Sequence, residues 1–524
     1  MDEARQTVPE WQPTAWQGAL GQLATVSAAA PHVPSRRLYF FEEALPQGAW
    51  NVRHVYTPVT KLGVILDGDA PWEHGAHMMS FCGTILRLDD GRLRLYYTTS
   101  DPSRMRLAVA ESDDGLAWQR PPLGQDRWQG LDTNRIVLTG VPEAKEGAPV
   151  TFEGRQLALE GTRSLQGRVA QPQVLRLADG HWRMLYWHHQ QGWGRIPFIY
   201  TVAESEDGLR WHVPNYDRPT LNATVLGDQT GMLEDDRLAE KARRTNDANY
   251  VYWNPILRCY EQFSQWFLPA HPDRWVDEDN CPMFNRMIQR RVSADGLRWS
   301  APELVIQADE RDPWDQQFYA LAVQYHEDWR IGSLGHYRVE DGQQTMDLAL
   351  TFSRDGRRWE RPVRGGFIPR DPEGRDSEGV YPPDAWIDLG DRWLCLYSGT
   401  ARKHNRSRDS ALPPNCIMGA TWPKHRFVGL SADRVSGGFL TPVFYPQSAE
   451  ILVDADVRGW LRAELCDAWG RKLQGFHLQE SLPIQGVDGI HRLRWRDLDT
   501  AGLVHDAVRV RFEFVDATVY SVMS

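Results

Sequence analysis

Carboxylate side chains stand just ahead of several apolar, strand-like runs in this chain. Glu73, Asp247, Asp315 and Glu378 hold such positions. Two carboxyl groups at one site can cleave a glycosidic bond, because one protonates the leaving oxygen while the other attacks or activates water. A further carboxylate nearby raises the pKa of the acid by like-charge repulsion. We therefore predict these four as catalytic residues, with Asp247 or Asp315 as base or nucleophile and Glu378 as general acid.

Amide, aromatic and basic side chains in similar places are suited to holding a sugar. A flat tryptophan face matches the apolar face of a sugar ring, and amides or arginine can bond its hydroxyl groups. The predicted substrate-binding residues are Trp72, His74, Gln173, Asn249, Trp314, Gln317, His336, Arg375 and Asp376. A structural role stays open for each acid; Asp376, for example, can cap a turn through Ser377.

A seven-residue phrase, S-x-D-G-x-x-W, indicates which elements hold these side chains. It occurs at Ser112–Trp118, Ser205–Trp211, Ser293–Trp299 and Ser353–Trp359. Ser and Asp side chains can close a turn onto the backbone, Gly takes a positive φ, and Trp opens the returning strand. Because each copy follows an apolar run, we predict repeated antiparallel sheets that end in the same corner. The four repeat tryptophans are predicted to be structural.

A second phrase opens each unit with an apolar strand, a polar turn and an aromatic-rich strand. It occurs five times, beginning near Gly83, Val174, Tyr250, Tyr319 and Ala385. Variable spacing between units suits radial repetition better than a stacked solenoid. The sequence therefore predicts an all-β protein with a five-bladed β-propeller over residues 61–436, whose last blade is degenerate. The start of each innermost strand would face a central funnel, where the predicted site residues would converge.

The pattern changes from Gly437 onwards. Short strands with period-two alternation follow one another between Asp- and Gly-containing turns. That pattern is typical of a β-sandwich. We predict a C-terminal sandwich over residues 437–524 and an N-terminal extension, residues 1–60, that packs on the propeller.

Composition limits the partners of this chain. The net charge of −11 argues against nucleic acid. The six cysteines form no C-x-x-C pair and several lie in apolar runs, which indicates buried free thiols. No signal peptide or membrane-spanning run is evident, so we expect a cytoplasmic protein without a membrane partner. A small carbohydrate is the predicted partner, and no oligomeric state is predicted.

Several phrases, taken in order, resemble a known group of proteins. They are Arg36–Glu43, Asp69–Glu73, Asn246–Asn249, Asp376–Tyr381 and Tyr397–Thr400. Together they resemble the five-bladed propeller glycoside hydrolases of the invertase-like and arabinanase-like superfamily, families 32 and 43, and especially bacterial relatives of family 32. The resemblance covers nearly the whole chain. It implies a glycosidase, and its arabinanase-like side favours inversion of configuration.

The chain also departs from that superfamily. The invertase-like W-M-N-D-P-N-G and E-C motifs are absent, so the resemblance does not imply fructan chemistry. No helical histidine pair suggests catalytic zinc, and we predict no metal and no cofactor, although a structural Ca²⁺ in the funnel is compatible with the fold. The alternatives are a non-hydrolytic sugar-binding propeller and a glycoside phosphorylase of the same fold. A phosphorylase needs basic residues, of which the funnel set contains mainly Arg375.

Overall fold

The structure is all-β. The computed structural model describes residues 37–100, 105–141, 149–152, 155–158, 169–189, 198–214, 221–223, 244–245, 248–276, 279, 284–339, 344–404 and 411–524. Over these ranges the helical elements are short 3₁₀ turns at Pro272–Arg274 and Ala501–Leu503. No helix in the described ranges is long and apolar enough to cross a membrane.

Three strands precede the repeated units. They are β1 (Arg37–Tyr39), β2 (Arg53–Tyr56) and β3 (Thr60–Leu66). The first unit then runs up and down through β4 (His77–Arg87), β5 (Leu93–Ser100) and β6 (Met105–Ser112). Short strands follow it: β7 (Arg127–Trp128), β8 (Leu131–Asp132), β9 (Leu138–Thr139), β10 (Pro149–Phe152) and β11 (Arg155–Ala158).

The second and third units have four antiparallel strands each. The second contains β12 (Val169–Arg176), β13 (Trp182–His189), β14 (Phe198–Ser205) and β15 (Trp211–His212), and is followed by β16 (Leu221–Ala223) and β17 (Arg244–Thr245). The third contains β18 (Tyr250–Asn254), β19 (Cys259–Pro269), β20 (Phe284–Ser293) and β21 (Glu303–Ile306).

The fourth and fifth units share one continuous sheet. The fourth contains β22 (Gln316–His326), β23 (Trp329–Arg338) and β24 (Thr345–Ser353). The fifth contains β25 (Gly379–Tyr381), β26 (Ile387–Asp388), β27 (Arg392–Thr400) and β28 (Cys416–Pro423). The outer strand of the fifth unit is β3, which pairs with β28 from the opposite end of the chain.

The repeated corner is the turn that its residue types predict. In the first copy, Ser112 Oγ accepts the N–H of Gly115 at 2.8 Å, and Asp114 Oδ1 accepts the N–H of Leu116 and of Ala117. Gly115 has φ +79°, and the other three copies have the same Ser and Asp bonds. These bonds to backbone N–H groups lower the pKa of Asp114. The predicted turn is confirmed in all four copies, but of the four tryptophans only Trp211 begins a strand, and Trp118, Trp299 and Trp359 lie before the returning segment.

Each corner also packs on the unit before it. Tyr96 of the first unit donates its hydroxyl to the carbonyl of Gly208 in the second corner, at 2.7 Å. Arg183 of the second unit donates to the Asp295 carbonyl in the third corner. Arg357 in the fourth corner pairs with Glu303 of the third unit.

The first corner closes the series. Gly115 lies against Leu394 and Ile387 of the fifth unit, so the last unit contacts the first. A shared core fills the same boundary and contains side chains of β4, β5, β6, β27 and β28. The contacts between successive units therefore return to the starting unit.

The C-terminal strands form a seven-stranded sheet. It contains β29 (Val428–Ala432), β30 (Gly437–Leu440), β31 (Leu452–Asp467), β32 (Ile484–Arg492) and β33 (Val508–Met523), together with β1 and β2. One edge of β33 pairs in turn with β30, β29 and β1, and its other edge pairs with β31. The sheet thus draws strands from both sides of the boundary predicted at Gly437. Shifts in the β31–β33 register bend these long strands around one apolar core.

Candidate functional site

The first strands of the units are irregular where they approach one another. The β4 register shifts between Met79 and Thr84, and that of β12 shifts between Ala170 and Gln173. Three non-glycine residues there adopt the left-handed conformation: Cys82 at φ +50°, Gln171 at +57° and Ala248 at +61°. Such backbone costs on the order of 1–3 kcal/mol per residue and clusters at ligand sites.

Hydrogen bonds tie these irregular segments together. Gln173 donates to the carbonyl of Cys82 in the first unit at 2.8 Å and accepts the N–H of Val251 in the third at 3.0 Å. Tyr250 donates to the Pro382 carbonyl of the fifth unit at 2.7 Å. Segments distant in the chain therefore meet around one point.

Aromatic side chains from several units surround this point. We call Phe81, Tyr319, Tyr337, Tyr381 and His404 the axial aromatic cluster. The Phe81 ring lies 5.3 Å from that of Tyr381 and 5.9 Å from that of Tyr319. The His404 ring lies 4.6 Å from Tyr319 and 5.3 Å from Tyr337. Phe81, Tyr381 and His404 are half-buried, so one side of the cluster reaches solvent.

A buried ion pair supports this cluster from beneath. Arg286 bonds both oxygens of Asp279, at 2.6 and 2.7 Å, and donates to Gln317 at 2.8 Å. Both charged side chains are 1% exposed. The guanidinium also lies over the Tyr337 ring, 5.0 Å from its centre. Because Asp279 neutralises the guanidinium, the pair serves to fix the aromatic wall in place.

His404 presents a free hydrogen-bonding atom within the axial aromatic cluster. Burial lowers its pKa to about 4, with the Arg286 charge acting in the same direction, so the ring is neutral near pH 7. The Tyr381 hydroxyl lies 2.8 Å from Nδ1. Nε2 is buried and has no hydrogen-bond partner in the part of the chain that the structure describes. When Nδ1 accepts from Tyr381, Nε2 carries a proton that a ligand oxygen can accept.

Two of the predicted catalytic carboxylates are held by arginines. Glu73 is 1% exposed and bonds Arg120 at 2.6 Å and Tyr97 at 2.7 Å. Burial raises the pKa of Glu73, while Arg120 opposes that rise. Asp315 accepts from Arg338 at 2.7 Å and from the N–H of Val339 at 3.1 Å. Both contacts are of the kind that holds a chain segment in place.

Asp376 and Glu378 precede β25 and differ in their surroundings. Asp376 is fully buried, and its Oδ2 accepts from Lys61 at 2.6 Å and from Tyr397 at 2.9 Å. Glu378 is half-buried, and its carboxylate has no hydrogen bond or ion pair to a residue in the described ranges. Its backbone is fixed between Met346 and Thr400.

Other predicted binding residues are divided among several places. Gln317 meets the axial aromatic cluster through Arg286, and Gln173 bonds the neighbouring backbones. Asn249 is buried against Gln262. Arg375 pairs with Asp67 at 3.1 Å and also donates to the Pro414 carbonyl.

The other predicted binding residues have no hydrogen bond or ring contact with the axial aromatic cluster in the described part of the chain, and one predicted catalytic residue lies outside that part. Trp72 donates to Asn134 at 2.8 Å, and the imidazole of His74 is exposed. Trp314 is 56% exposed. His336 is buried, which lowers its pKa to about 4. Asp247 lies outside the described residues; its chain neighbour Ala248 is buried beside Cys82, Tyr250 and Tyr319.

The residue patterns missed several members of the site. Arg286 and Asp279 were not among the candidates, because nothing in the local pattern distinguishes Arg286 from Arg290 and Arg291 of the same strand. Tyr381 was quoted only as part of a motif. Asp384, which is buried between β25 and β26, was also missed. Its burial, which raises its pKa to about 7, is not visible in the sequence.

Comparison with known proteins gives structural neighbours. No protein-family model and no curated protein sequence matches the chain. One similar solved structure is titled a glycoside hydrolase, with 15% identity and a TM-score of 0.43 over 70% of this chain and 92% of that one. Another is the catalytic domain of a Coprinopsis cinerea GH62 alpha-L-arabinofuranosidase, with 12% identity and a TM-score of 0.40 over 71% and 98%. A third is an N-acetylgalactosamine deacetylase from F. plautii in complex with blood group B trisaccharide, with 13% identity and a TM-score of 0.41 over 74% and 96%.

Proposed function

We propose that this chain is a glycoside hydrolase whose site is the axial aromatic cluster with the carboxylates that border it. The observation that carries the proposal is Glu378. It is a half-buried carboxylate without a partner in the described ranges, three residues before Tyr381 of the cluster. A carboxyl group that no contact within the described ranges uses, close in sequence to a half-open aromatic wall, is suited to general acid catalysis on a sugar.

We also infer that the five units are the blades of a propeller, followed by a C-terminal sandwich. Contacts from each corner to the preceding unit, and from the first corner to the fifth unit, support a ring of five. Pairing of β3 with β28 joins the two ends of that ring. Such closure leaves no exposed edge between the first and last blades.

The cluster has the surfaces that a sugar needs. The exposed parts of Phe81 and Tyr381 offer apolar faces, whereas His404 Nε2 offers a hydrogen bond. The Arg286–Asp279 ion pair holds the aromatic wall in position behind them. We infer a small glycoside or oligosaccharide as the substrate.

Among the predicted acids, Glu378 and Asp247 are the pair that we propose as acid and base or nucleophile. Glu73 and Asp315 already bond arginines, so structural contacts occupy their carboxylates. Asp247 is favoured because its neighbour Ala248 packs beside the cluster residue Tyr319. Glu73 and Asp315 are then positioning residues.

A sugar-binding protein without hydrolysis is the second candidate. The arginine contacts of Glu73 and Asp315 favour it, since they leave fewer free carboxylates for catalysis. A phosphorylase is disfavoured because Arg375, the basic residue predicted for phosphate, already pairs with Asp67.

The test compares hydrolysis of a panel of aryl glycosides and oligosaccharides by the parent, Glu378→Gln and Asp247→Asn. Glu373→Gln is the matched control, because Glu373 is an exposed acid on the same segment. We expect kcat/KM to fall at least about a hundredfold in both site variants, about 2.7 kcal/mol of transition-state stabilisation, and to be unchanged in the control. Melting temperatures establish equal folding.

Two results would contradict the assignment. Turnover by both site variants within about tenfold of the parent, about 1.4 kcal/mol, would exclude these residues as the catalytic pair. Calorimetric binding of an oligosaccharide by the parent, without hydrolysis of any panel member, would support the sugar-binding candidate instead.

A further inference from the structure

A group of potential metal ligands lies outside the axial aromatic cluster. His326 and Glu327 belong to the β22–β23 hairpin, His425 lies between β28 and β29, and Tyr39 ends β1. The two histidines and the glutamate form the one set of three or more His, Cys, Asp or Glu side chains, within the described ranges, whose ligand atoms lie close enough to share an ion. The proposed hydrolysis makes no use of them.

Five of the six distances between the donor atoms lie between 2.9 and 3.9 Å, and the sixth, between His326 and Glu327, is within 4.8 Å. His326 Nε2 and His425 Nδ1 are 3.3 Å apart, and Tyr39 Oη lies 2.9 Å from the first and 3.2 Å from the second. Glu327 Oε1 lies 3.3 Å from Tyr39 Oη and 3.9 Å from His425 Nδ1. Zinc bonds of about 2.0–2.2 Å to nitrogen and oxygen give tetrahedral edges of about 3.3–3.6 Å.

Hydrogen bonds and a bound cation are alternative ways to satisfy these atoms. The oxygen of Tyr39 and the two imidazole nitrogens form a triangle with three short edges. Without an ion, the Tyr39 hydroxyl can donate to Glu327 Oε1 and accept from a protonated imidazole nitrogen. With an ion, both facing nitrogens and the two oxygens can present lone pairs to it.

The electrostatic surroundings are compatible with a cation. Two cationic groups lie nearby, but Lys424 pairs with Asp388 at 2.5 Å and Arg37 pairs with Asp454 at 3.4 Å. These acids offset their charge.

We propose that His326 Nε2, His425 Nδ1 and the Glu327 carboxylate bind one Zn²⁺, with Tyr39 Oη at the fourth corner. Two imidazoles with one carboxylate at this spacing suit zinc better than the all-oxygen preference of Ca²⁺ or Mg²⁺. The His425 and Glu327 side chains are 35% and 29% exposed, which gives an ion access from solvent. The bound ion would join the hairpin of the fourth unit to β1 and to the connection that enters the C-terminal sheet.

The experiment measures zinc binding by the full chain, purified without a polyhistidine tag and stripped with EDTA. The parent, His425→Gln, Glu327→Gln and the control His477→Gln are titrated with Zn²⁺ in competition with a chromogenic chelator. His477 is a matched control because its half-buried ring also lies beside a glutamate, at 3.8 Å from Glu464, but without a second histidine. His425→Gln alters a partly exposed side chain and should therefore fold.

We expect one Zn²⁺ per chain for the parent and for His477→Gln, and at least tenfold weaker binding for the other two variants. Zn²⁺ should raise the melting temperature of the parent and of His477→Gln only. Co²⁺ in the stripped parent should give the intense visible absorption of tetrahedral coordination. The proposal is overturned if the stripped parent binds Zn²⁺ no more tightly than His425→Gln, or if Co²⁺ gives only the weak octahedral spectrum.

Discussion

Asp384 is a carboxyl group placed where burial dominates its ionisation. It is 7% exposed, and its Oδ1 accepts the N–H of Ile85 at 3.1 Å, which links the fifth unit to the first. Burial raises the pKa of Asp384 to about 7, and the bond from Ile85 only partly opposes that rise. The folded protein therefore holds a proton here across a pH range in which the unfolded chain has released it.

The sign of the resulting pH dependence follows from this difference. Between the unfolded pKa of about 4 and the folded pKa near 7, the folded state binds more protons, so this group makes stability fall as pH rises, by up to about 1.4 kcal/mol per pH unit. Asp384→Asn keeps the acceptor and removes the titration. We expect the melting temperature of this variant, relative to that of the parent, to increase from pH 4 to 7, because the negative contribution of Asp384 to the slope is removed.

The control for this measurement is Asp113→Asn, which removes an exposed carboxylate from the first corner. Its profile should follow that of the parent. Identical slopes for Asp384→Asn and the parent would show that Asp384 is ionised throughout this range.

Residue types located the candidate acids but could not identify their partners. Glu73 and Arg120 are separated by 47 positions, and Asp315 and Arg338 by 23, so these ion pairs form only after the sheets assemble. Glu378 was predicted as the general acid from its position before a strand, and that role stays a prediction. That no residue in the described ranges bonds its carboxylate is a tertiary property, which no local pattern records.

At the scale of single elements, the repeated corner depends on its glycine for two separate reasons. Gly208 has φ +71°, and a Cβ there would lie 2.8 Å from the Tyr96 hydroxyl of the preceding unit. Gly180, in the β12–β13 hairpin, has φ +89° and no atom within 4 Å of such a Cβ. The two positions therefore separate backbone strain from crowding.

We expect Gly180→Ala to lower the free energy of unfolding only by the cost of placing alanine in the left-handed backbone conformation, about 1–2 kcal/mol. Gly208→Ala should lower it by a further 1–3 kcal/mol or so, because the packed corner must move. Urea denaturation of both variants and the parent measures the difference. An equal decrease in the free energy of unfolding for both variants would mean that the corner accommodates the added Cβ without an energetic penalty.

The corners were predictable because their chemistry is local. Ser, Asp and Gly within four residues determine the turn, and the structure has the expected bonds in every copy. The distortions of β4 and β12 were not predictable, since Cys82 and Gln171 are unusual residues for left-handed backbone. Packing among several units imposes those conformations.

The whole molecule joins its chain ends in two places. Strand β3 completes the fifth unit, and β1 pairs with β33 of the C-terminal sheet, as Leu38 with Val522. Alternating apolar residues predicted the C-terminal strands, but pairing over some 480 positions leaves no local trace in sequence. The boundary at Gly437 therefore marks a change of pattern, whereas the sheet extends across it.

This arrangement predicts that residues 437–524 do not fold alone. Without β1 and β29, the β33 backbone from Ala517 to Met523 loses the partners on one edge, and the core loses Phe40 and Leu430. An exposed apolar edge of this kind favours aggregation over a folded monomer. Circular dichroism and amide exchange should show little protection in the fragment. A fragment that begins at residue 424 regains β29 and should be more protected, although β1 and β2 are still missing.

In the full-length protein, we expect the C-terminal sheet and the fifth unit to unfold in one transition. The reason is that β29 follows directly from β28, and that Phe427 and Val428 pack on the core of the fourth and fifth units. A stable, monomeric 437–524 fragment would show that the sheet's own strands suffice and that β1, β2 and β29 merely cover it.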